Sequence, residues 1–266
     1  MDHFPRDTRS PTLRLLAESS AVLEIASFLA LKRPLGRILP RGDGHPVLLI
    51  PGFMVSDSSM RLLRRALLDL GYQASGWGLG RNLGIDRKTL QTLQEKVAGL
   101  ADTTGRRVSL IGWSGGGLYA RAAASLQPES VRQVITLGSP FRLTEESLHH
   151  LPGGIHKLHE RLARNRPVDN PPLEPRWWND SIPVPSTSLF SQRDALAPWP
   201  FCVDPADEQS ESIQLRGSHS GLPFNPLTHW IIADRLAQPE QQWQPYPIKP
   251  AHRSLFRHHC ASQFAP

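Results

Sequence analysis

The sequence predicts an α/β fold in which a mainly parallel sheet is covered by helices on both faces. Short β-branched and apolar runs recur from Val47 onward, and helical patterns alternate with them. With 266 residues, the chain is long enough for one domain with a sizeable core. The predicted strands are Val47–Ile50, Ala74–Leu79, Val108–Trp113, Val131–Leu137, Pro185–Ser191 and Ser212–Gly217.

Helical spacing and capping residues predict the elements between these strands. Apolar side chains lie at helical spacing in residues 11 to 31, and Pro34 and the turn Pro40-Arg41-Gly42-Asp43-Gly44 predict the end of that first helix. Residues 1–45 are therefore predicted to be an N-terminal helical extension on the outside of the body. The other predicted helices run from an Asp57 cap to Leu70, from Asp86 with Leu90, Leu93, Val97 and Leu100 on one face, from near Gly115, and from Asn225-Pro226.

The main domain is predicted over residues 46–240. Inside it, residues 141–180 interrupt the alternation of strand and helix patterns, because their sequence is helical, histidine-bearing and proline-rich. This insertion is predicted to form a small helical lid over the carboxyl edge of the sheet. Residues 241–266 are predicted to be a polar C-terminal tail. An open alternative for the first helix is that it touches a membrane or covers the active site.

The composition is typical of a folded protein that does not insert stably into a membrane. Apolar residues make up 39% of the chain and charged residues 20%. The longest apolar stretch, Leu23 to Leu31, is interrupted by Glu24 and Ser27 and is far shorter than the ~20 residues of a spanning helix. The first residues do not resemble a secretory signal, so we expect a cytoplasmic protein. There, Cys202 and Cys260 would remain thiols.

The net charge of +6 comes from basic residues scattered along the chain, which favours a solvated surface over a nucleic-acid site. Gly76 to Arg81 lacks the glycine spacing of a dinucleotide loop. Histidines are concentrated in the predicted lid, but the sequence after the last of them lacks the second histidine of the zinc motif. These are His149, His150, His156 and His159. We therefore predict neither a metal nor an organic cofactor.

The strongest chemical motif is Gly112-Trp113-Ser114-Gly115-Gly116, between a predicted strand and an alanine-rich helix. This arrangement is typical of a nucleophile elbow, in which a serine stands on a sharp, strained turn above the sheet. Residues two before and two after the nucleophile approach closely, so Gly112 and Gly116 have a steric role. Ser114 is thus the candidate nucleophile.

A serine nucleophile needs an imidazole base and a group that orients the imidazole. Asp194 follows the predicted strand Pro185–Ser191, and His219 follows the next one. Since the carboxyl ends of parallel strands meet at one edge of a sheet, these residues predict a Ser114-Asp194-His219 triad. Three other acids are poorer candidates for the orienting acid, because they are less well placed relative to strand ends: Asp180, Asp204 and Asp207.

These motifs resemble those of α/β-hydrolases, specifically bacterial lipase- and esterase-like serine hydrolases, from about Val47 to Leu236. The resemblance implies an oxyanion hole made by the backbone N–H groups of Gly115 and Phe53. The sequence departs from the family pattern at one position, because Pro51 stands where a histidine is common.

The expected function is hydrolysis of carboxylic esters through an acyl-enzyme, with a small-molecule or lipid-like ester as substrate. Met54, Trp113, Trp199 and Leu222 are the candidate pocket residues. Two alternatives stay open: an acyltransferase that uses the same triad, and a non-catalytic hydrolase-fold binding module. The motifs do not decide the acyl-chain length, the alcohol portion or the oligomeric state.

Overall fold

The computed structural model describes residues 11–144, 174–205 and 207–259, together with residues 152, 157 and 161. The helices are α1 (Pro11–Ile38), α2 (Arg61–Leu70), α3 (Arg87–Thr104), α4 (Gly115–Leu126), α5 (Arg176–Asn179) and α6 (Pro226–Ala237). The strands are β1 (Pro46–Ile50), β2 (Gln73–Gly76), β3 (Val108–Trp113), β4 (Val131–Leu137), β5 (Ser186–Phe190), β6 (Ser210–Gln214) and β7 (Arg257–His259). Most of the predicted lid and its histidines, and Cys260, lie outside the described residues.

The described strands form one seven-stranded sheet in the order β2-β1-β3-β4-β5-β6-β7. Strands β1 to β6 are parallel to their neighbours, and β7 pairs antiparallel with β6. The prediction of a mainly parallel sheet is therefore confirmed. All six predicted strands exist, with ends that differ by at most three residues.

Apolar side chains fill both faces of the sheet. Along β1, Val47 and Leu49 belong to one core cluster and Leu48 and Ile50 to the other, because successive side chains of a strand point to opposite faces. The first cluster packs against α2 and α6, and the second against α3 and α4. The helices thus cover both faces, as the sequence predicts.

The predicted polar tail is wrong for much of the region that the structure describes. Strand β7 extends the sheet by pairing with β6, and Tyr246 and Phe256 are buried in the first core cluster. The chain here is proline-rich and polar, so local patterns hide the strand. Its apolar contacts are with residues far away along the chain, which a local pattern does not show.

Helix α1 continues through Pro34, which was predicted to help end it, and ends at Ile38, just before the predicted turn at Pro40. Pro34 lacks an N–H and leaves the carbonyl of Ala30 without its helical partner, but both residues are exposed, so water can hydrate that carbonyl. Beyond the proline, Leu35 and Leu39 pack on the first core cluster. Tertiary packing therefore outweighs the local cost of proline.

Asp57 does not cap α2 as predicted. It begins a 3₁₀ turn, Asp57–Met60, that precedes the helix. Its carboxylate accepts hydrogen bonds from the backbone N–H groups of Trp77 and Gly78, both at 3.0 Å. These bonds engage the amides that would have continued β2, which is why that strand ends at Gly76 and not at Leu79.

In the part of the chain that the structure describes, no helix is both long and apolar enough to cross a membrane.

Candidate active site

The predicted catalytic residues lie in loops at the carboxyl ends of neighbouring parallel strands. Ser114 directly follows β3, Asp194 lies four residues after β5, and His219 lies five residues after β6. The loop Pro51 to Phe53 follows β1, which is hydrogen-bonded to β3. Parallel strand direction therefore brings all four segments to one edge of the sheet.

Ser114 occupies the sharp turn that its motif predicts. Its backbone has φ 52° and ψ −125°, a conformation that L residues rarely adopt. Its N–H donates to the carbonyl of Leu137 at 2.8 Å, and its carbonyl accepts from the N–H of Gly117 at 2.9 Å. These bonds fix the strained turn between β3 and α4.

Gly112 and Gly116 have the steric role that was predicted for them. A Cβ on Gly112 would collide with the backbone of Gly117, and a Cβ on Gly116 would collide with the carbonyl of Ile50. The turn therefore requires glycine at both positions, because backbone atoms cannot yield as a side chain can.

Asp194 and His219 are joined directly. Nδ1 of His219 lies 2.6 Å from Oδ2 of Asp194, and both side chains are buried. The other carboxylate oxygen, Oδ1, accepts from the N–H groups of Leu196 at 2.8 Å and Ala197 at 2.7 Å. The carboxylate is thus held by its own loop while it orients the ring, and Nε2 is left for other chemistry.

The surroundings of His219 favour its protonated form. Burial disfavours the imidazolium, but the charge of Asp194 and its hydrogen bond, together with the charge of Glu18, raise the pKa of His219 above its ordinary value. The carbonyl of His219 accepts from Nε1 of Trp113 at 3.1 Å. Trp113 precedes Ser114, so this bond links the histidine loop to the elbow.

Among the described residues, no hydrogen bond joins the Ser114 hydroxyl to His219. Two features place them near each other. The indole of Trp113, the residue before Ser114, bonds to the His219 carbonyl. The carbonyl of Leu137 accepts from the Ser114 N–H, and a Cβ on the next residue, Gly138, would lie 3.2 Å from the His219 ring. Catalytic hydrogen bonds are often long before substrate binds.

The predicted oxyanion residues lie beside one another. A Cβ on Gly115 would lie 3.4 Å from the backbone nitrogen of Phe53. Gly115 is the first residue of α4, where helix N–H groups have no carbonyl partner within the helix. Two backbone amides therefore stand next to the Ser114 turn, although Pro51 replaces the histidine common in the resembled family.

Asn82 holds this loop, although no sequence motif identifies it as a site residue. Its side-chain Nδ2 donates to the carbonyl of Pro51 at 2.9 Å, and its backbone carbonyl accepts from Met54 at 2.7 Å. Asn82 is buried, and Met54 has a positive φ of 66°. The only sequence signal was a polar residue after the glycine-rich turn, which does not reveal its partner 31 residues earlier.

Gly138 was also missed. It follows β4 with a φ of 54°, and a Cβ there would lie 2.9 Å from Oδ2 of Asp194 and 3.2 Å from Nδ1 of His219. The glycine thus leaves the space that the Asp194–His219 pair occupies. A glycine directly after a predicted strand was the available signal.

The predicted pocket residues have different surroundings. Trp113 and Leu222 are both buried near His219. The Trp113 indole bonds to the His219 carbonyl, and a Cβ built on Gly138 would contact both Leu222 and the His219 ring. Met54 is half-buried in the Phe53 loop. Trp199 instead stacks on Phe190 with ring centroids 5.8 Å apart.

The competing acids have other partners. Asp204 is buried and pairs with Arg121, with 2.5 Å between Oδ1 and Nη1. Asp180 offers its backbone carbonyl to the same guanidinium at 2.7 Å, and the carboxylate of Asp207 accepts from the N–H of Gln209 at 3.0 Å. Of the four candidate acids, Asp194 is the one that contacts His219.

A second Ser-His-Asp contact set lies at the amino-terminal end of the sheet. His45 Nδ1 lies 2.5 Å from Oδ1 of Asp43, and its Nε2 lies 2.9 Å from Oγ of Ser109. Burial lowers the pKa of His45, although the hydrogen bond that its ring makes to the Asp43 carboxylate raises it. Ser109 is inside β3 and fully buried, so a substrate cannot reach it. These contacts alone therefore do not identify an active site.

No protein-family model matches the sequence, and comparison with curated protein sequences gives no match. Solved structures do match. A proposed aryl esterase from Burkholderia cenocepacia has 13% identity and a TM-score of 0.50, with 74% of this chain and 91% of that chain covered. Bacillus licheniformis lipase BlEst2 has 16% identity and a TM-score of 0.49, covering 74% and 94%.

Aspergillus fumigatus lipase B has 17% identity and a TM-score of 0.49, covering 74% of this chain and 53% of that chain. This chain therefore spans about half the length of that lipase. Identities this low speak to the fold alone. The similarity to the aryl esterase structure, together with the parallel sheet and its strand order, shows that the chain has the α/β-hydrolase fold.

Proposed function

We propose that this protein is a serine hydrolase that cleaves carboxylic esters. The observation that carries the proposal is the buried 2.6 Å contact between Asp194 and His219, at the sheet edge where Ser114 holds its strained turn. Lipases and esterases among the structural neighbours support the reaction class. The substrate is a small-molecule or lipid-like ester.

In the proposed mechanism, Nδ1–H of His219 donates to Asp194, so that the unprotonated Nε2 serves as the base. It takes the proton of the Ser114 hydroxyl as Oγ attacks the ester carbonyl carbon. The N–H groups of Gly115 and Phe53 stabilise the resulting oxyanion. The imidazolium then protonates the departing alcohol and leaves an acyl-Ser114 ester. Water, deprotonated by His219, releases the acid and restores the serine.

Covalent labelling tests this proposal. A fluorophosphonate probe should modify the wild-type protein on the peptide that contains Ser114, and Ser114→Ala should not be labelled. p-Nitrophenyl esters of graded chain length, assayed with the same two proteins, report the hydrolysis and its acyl preference. No labelling and no hydrolysis of any ester would contradict the proposal and favour a binding module. Acyl transfer to added alcohols in excess of acid release would favour an acyltransferase.

The pH profile gives a second prediction. His219 must be neutral to accept a proton, and its pKa is raised above 6.5. Activity should therefore be full at alkaline pH and fall as the pH drops through this raised pKa, with a midpoint above 6.5 in kcat/KM of the free enzyme. Initial rates on one soluble ester between pH 5 and 9 measure the midpoint. A flat profile between pH 5 and 8 would exclude His219 as the base.

A further inference from the structure

Helix α1 reaches the candidate active site through one carboxylate. Oε1 of Glu18 accepts hydrogen bonds from the backbone N–H groups of His219 at 3.0 Å and Ala195 at 3.3 Å, and Oε2 accepts from the N–H of Ser220 at 2.9 Å. Ala195 is the neighbour of Asp194. A single side chain therefore binds both the loop after β5 and the loop after β6.

A second carboxylate of α1 binds the same histidine loop. Oε1 of Glu24 accepts from the N–H and the hydroxyl of Ser218, each at 2.8 Å. Its Oε2 accepts from Nδ2 of Asn225 at 3.0 Å, and Asn225 caps α6. Both carboxylates face backbone and amide donors, which is the geometry of charge-assisted hydrogen bonds.

Apolar packing fixes α1 against the body. Phe28 is buried, and its ring centroid lies 4.3 Å from that of the buried His229 on α6. Leu35 and Leu39 pack on the first core cluster further along the helix. The helix is therefore anchored independently of its carboxylates, so Glu18 can act as a fixed support for the loops after β5 and β6.

We propose that Glu18 is a positioning residue for the Asp194–His219 pair, holding the two loops in the register that their 2.6 Å contact requires. This inference rests on the proposed function for the role of His219 as base. It gives a part in the reaction to the N-terminal helix, for which the sequence left open both a place on the outside of the body and a position over the active site.

The charge of Glu18 adds to its hydrogen bonds. Hydrogen bonds from Ser220 and His219, together with the nearby charge of His219, lower the pKa of Glu18 although its burial raises it, so the carboxylate stays ionised. The charged groups that face His219 are Asp194 from its loop and Glu18 from α1. Arg193 and Arg216, in the same two loops, are exposed. Glu18 thus supplies a second negative charge beside the imidazolium.

Glu18→Gln tests both parts, since it keeps the shape but removes the charge and one acceptor. We expect the pKa of the His219 ring, followed by NMR titration, to fall, because the substitution removes one of the two negative charges that raise it. Hydrogen exchange of the amides at 218–220 should become faster. In ester hydrolysis, kcat should fall about 10-fold or more, and the acidic limb should move to lower pH.

The matched control is Glu95→Gln, the same chemical change on the exposed face of α3. It should alter none of these readouts. An unchanged His219 titration and unchanged exchange in Glu18→Gln would overturn the proposal. If Glu18→Gln does not fold, Glu18→Asp keeps the charge but shortens the side chain, and unchanged exchange at 218–220 there would overturn it equally.

The NMR and exchange measurements do not need turnover. Failure of the wild-type protein to hydrolyse esters or to be labelled at Ser114 would defeat the proposed function, while these two readouts would still report whether Glu18 positions His219. The two failures are therefore distinguishable.

Discussion

Replacing Ser114 or His219 with alanine is expected to lower kcat toward the best ester by about 10⁴ to 10⁶-fold. Ser114→Ala removes the nucleophile, and His219→Ala removes the base that activates it. Serine hydrolases lose rates of this size when either residue is removed, because neither side chain works without the other. KM should change little, since the hydroxyl and the imidazole act on the transition state more than on bound substrate.

The double variant Ser114→Ala/His219→Ala provides the sharper test. If the two residues act as a unit, kcat of the double variant should be no lower than kcat of the slower single variant. Ser254→Ala, a serine exposed on the surface, is the matched control and should keep the wild-type rate. Multiplicative losses in the double variant, or a loss below about 10-fold in either single variant, would contradict a shared catalytic role.

Asp194→Asn belongs to the same experiment. It keeps the size of the side chain but removes the charge beside Nδ1 and favours the wrong tautomer of His219, which in a comparable triad costs about 10⁴ in kcat. We expect a loss of similar order. Its pH profile should also shift to lower pH, because the charge of Asp194 is the main favourable influence on the His219 imidazolium.

The sequence predicts the parallel sheet because its strands are local features. Strands β1, β3 and β4 contain short runs of apolar residues, and all three are buried along their whole length. The elbow is local too: Gly112, Ser114 and Gly116 lie within five residues, and their steric demands can be derived without coordinates. Chain order and strand direction then predict which edge Asp194 and His219 share.

The supports of the site cannot be predicted in the same way, because they join residues far apart in the chain. Glu18 contacts His219 across 201 residues, and Asn82 contacts Pro51 across 31. An amphipathic helix pattern shows that α1 packs on something, but it does not show which carboxylate meets which loop. Strand β7 could not be predicted for a related reason. Arg257–His259 have no strand pattern of their own, and they form a strand because they pair with β6.

Replacing Arg121 with methionine is expected to lower the free energy of unfolding by about 3 to 5 kcal/mol. Arg121 lies on α4, the helix that begins after Ser114, and both it and Asp204 are fully buried. Its guanidinium also donates to the carbonyls of Trp178 at 2.6 Å and Asp180 at 2.7 Å. Without the arginine, the Ser186 hydroxyl is the one donor among the described side chains that the Asp204 carboxylate keeps, and the carboxylate charge is unpaired away from water. The two carbonyls also lose the guanidinium as their donor.

Urea unfolding followed by far-UV circular dichroism measures this loss. Asp204→Asn should cost less, about 1 to 3 kcal/mol, since Arg121 keeps its carbonyl acceptors and a hydroxyl, Ser186 Oγ, at 3.2 Å. It remains informative where Arg121→Met is too unstable to purify. In the double variant the two costs should not add, because the residues share one network.

Arg65→Met is the matched control. Arg65 pairs with Asp69 at 3.2 Å on the surface of α2, where both side chains are largely exposed. Exposed pairs of this kind contribute little, so we expect a change within about 0.5 kcal/mol. Equal losses from Arg121→Met and Arg65→Met would show that the Arg121 network does not hold α4 against the segments around α5 and β5. The support of the Ser114 turn would then come from its backbone hydrogen bonds with Leu137 and Gly117 and from the close packing around the elbow glycines.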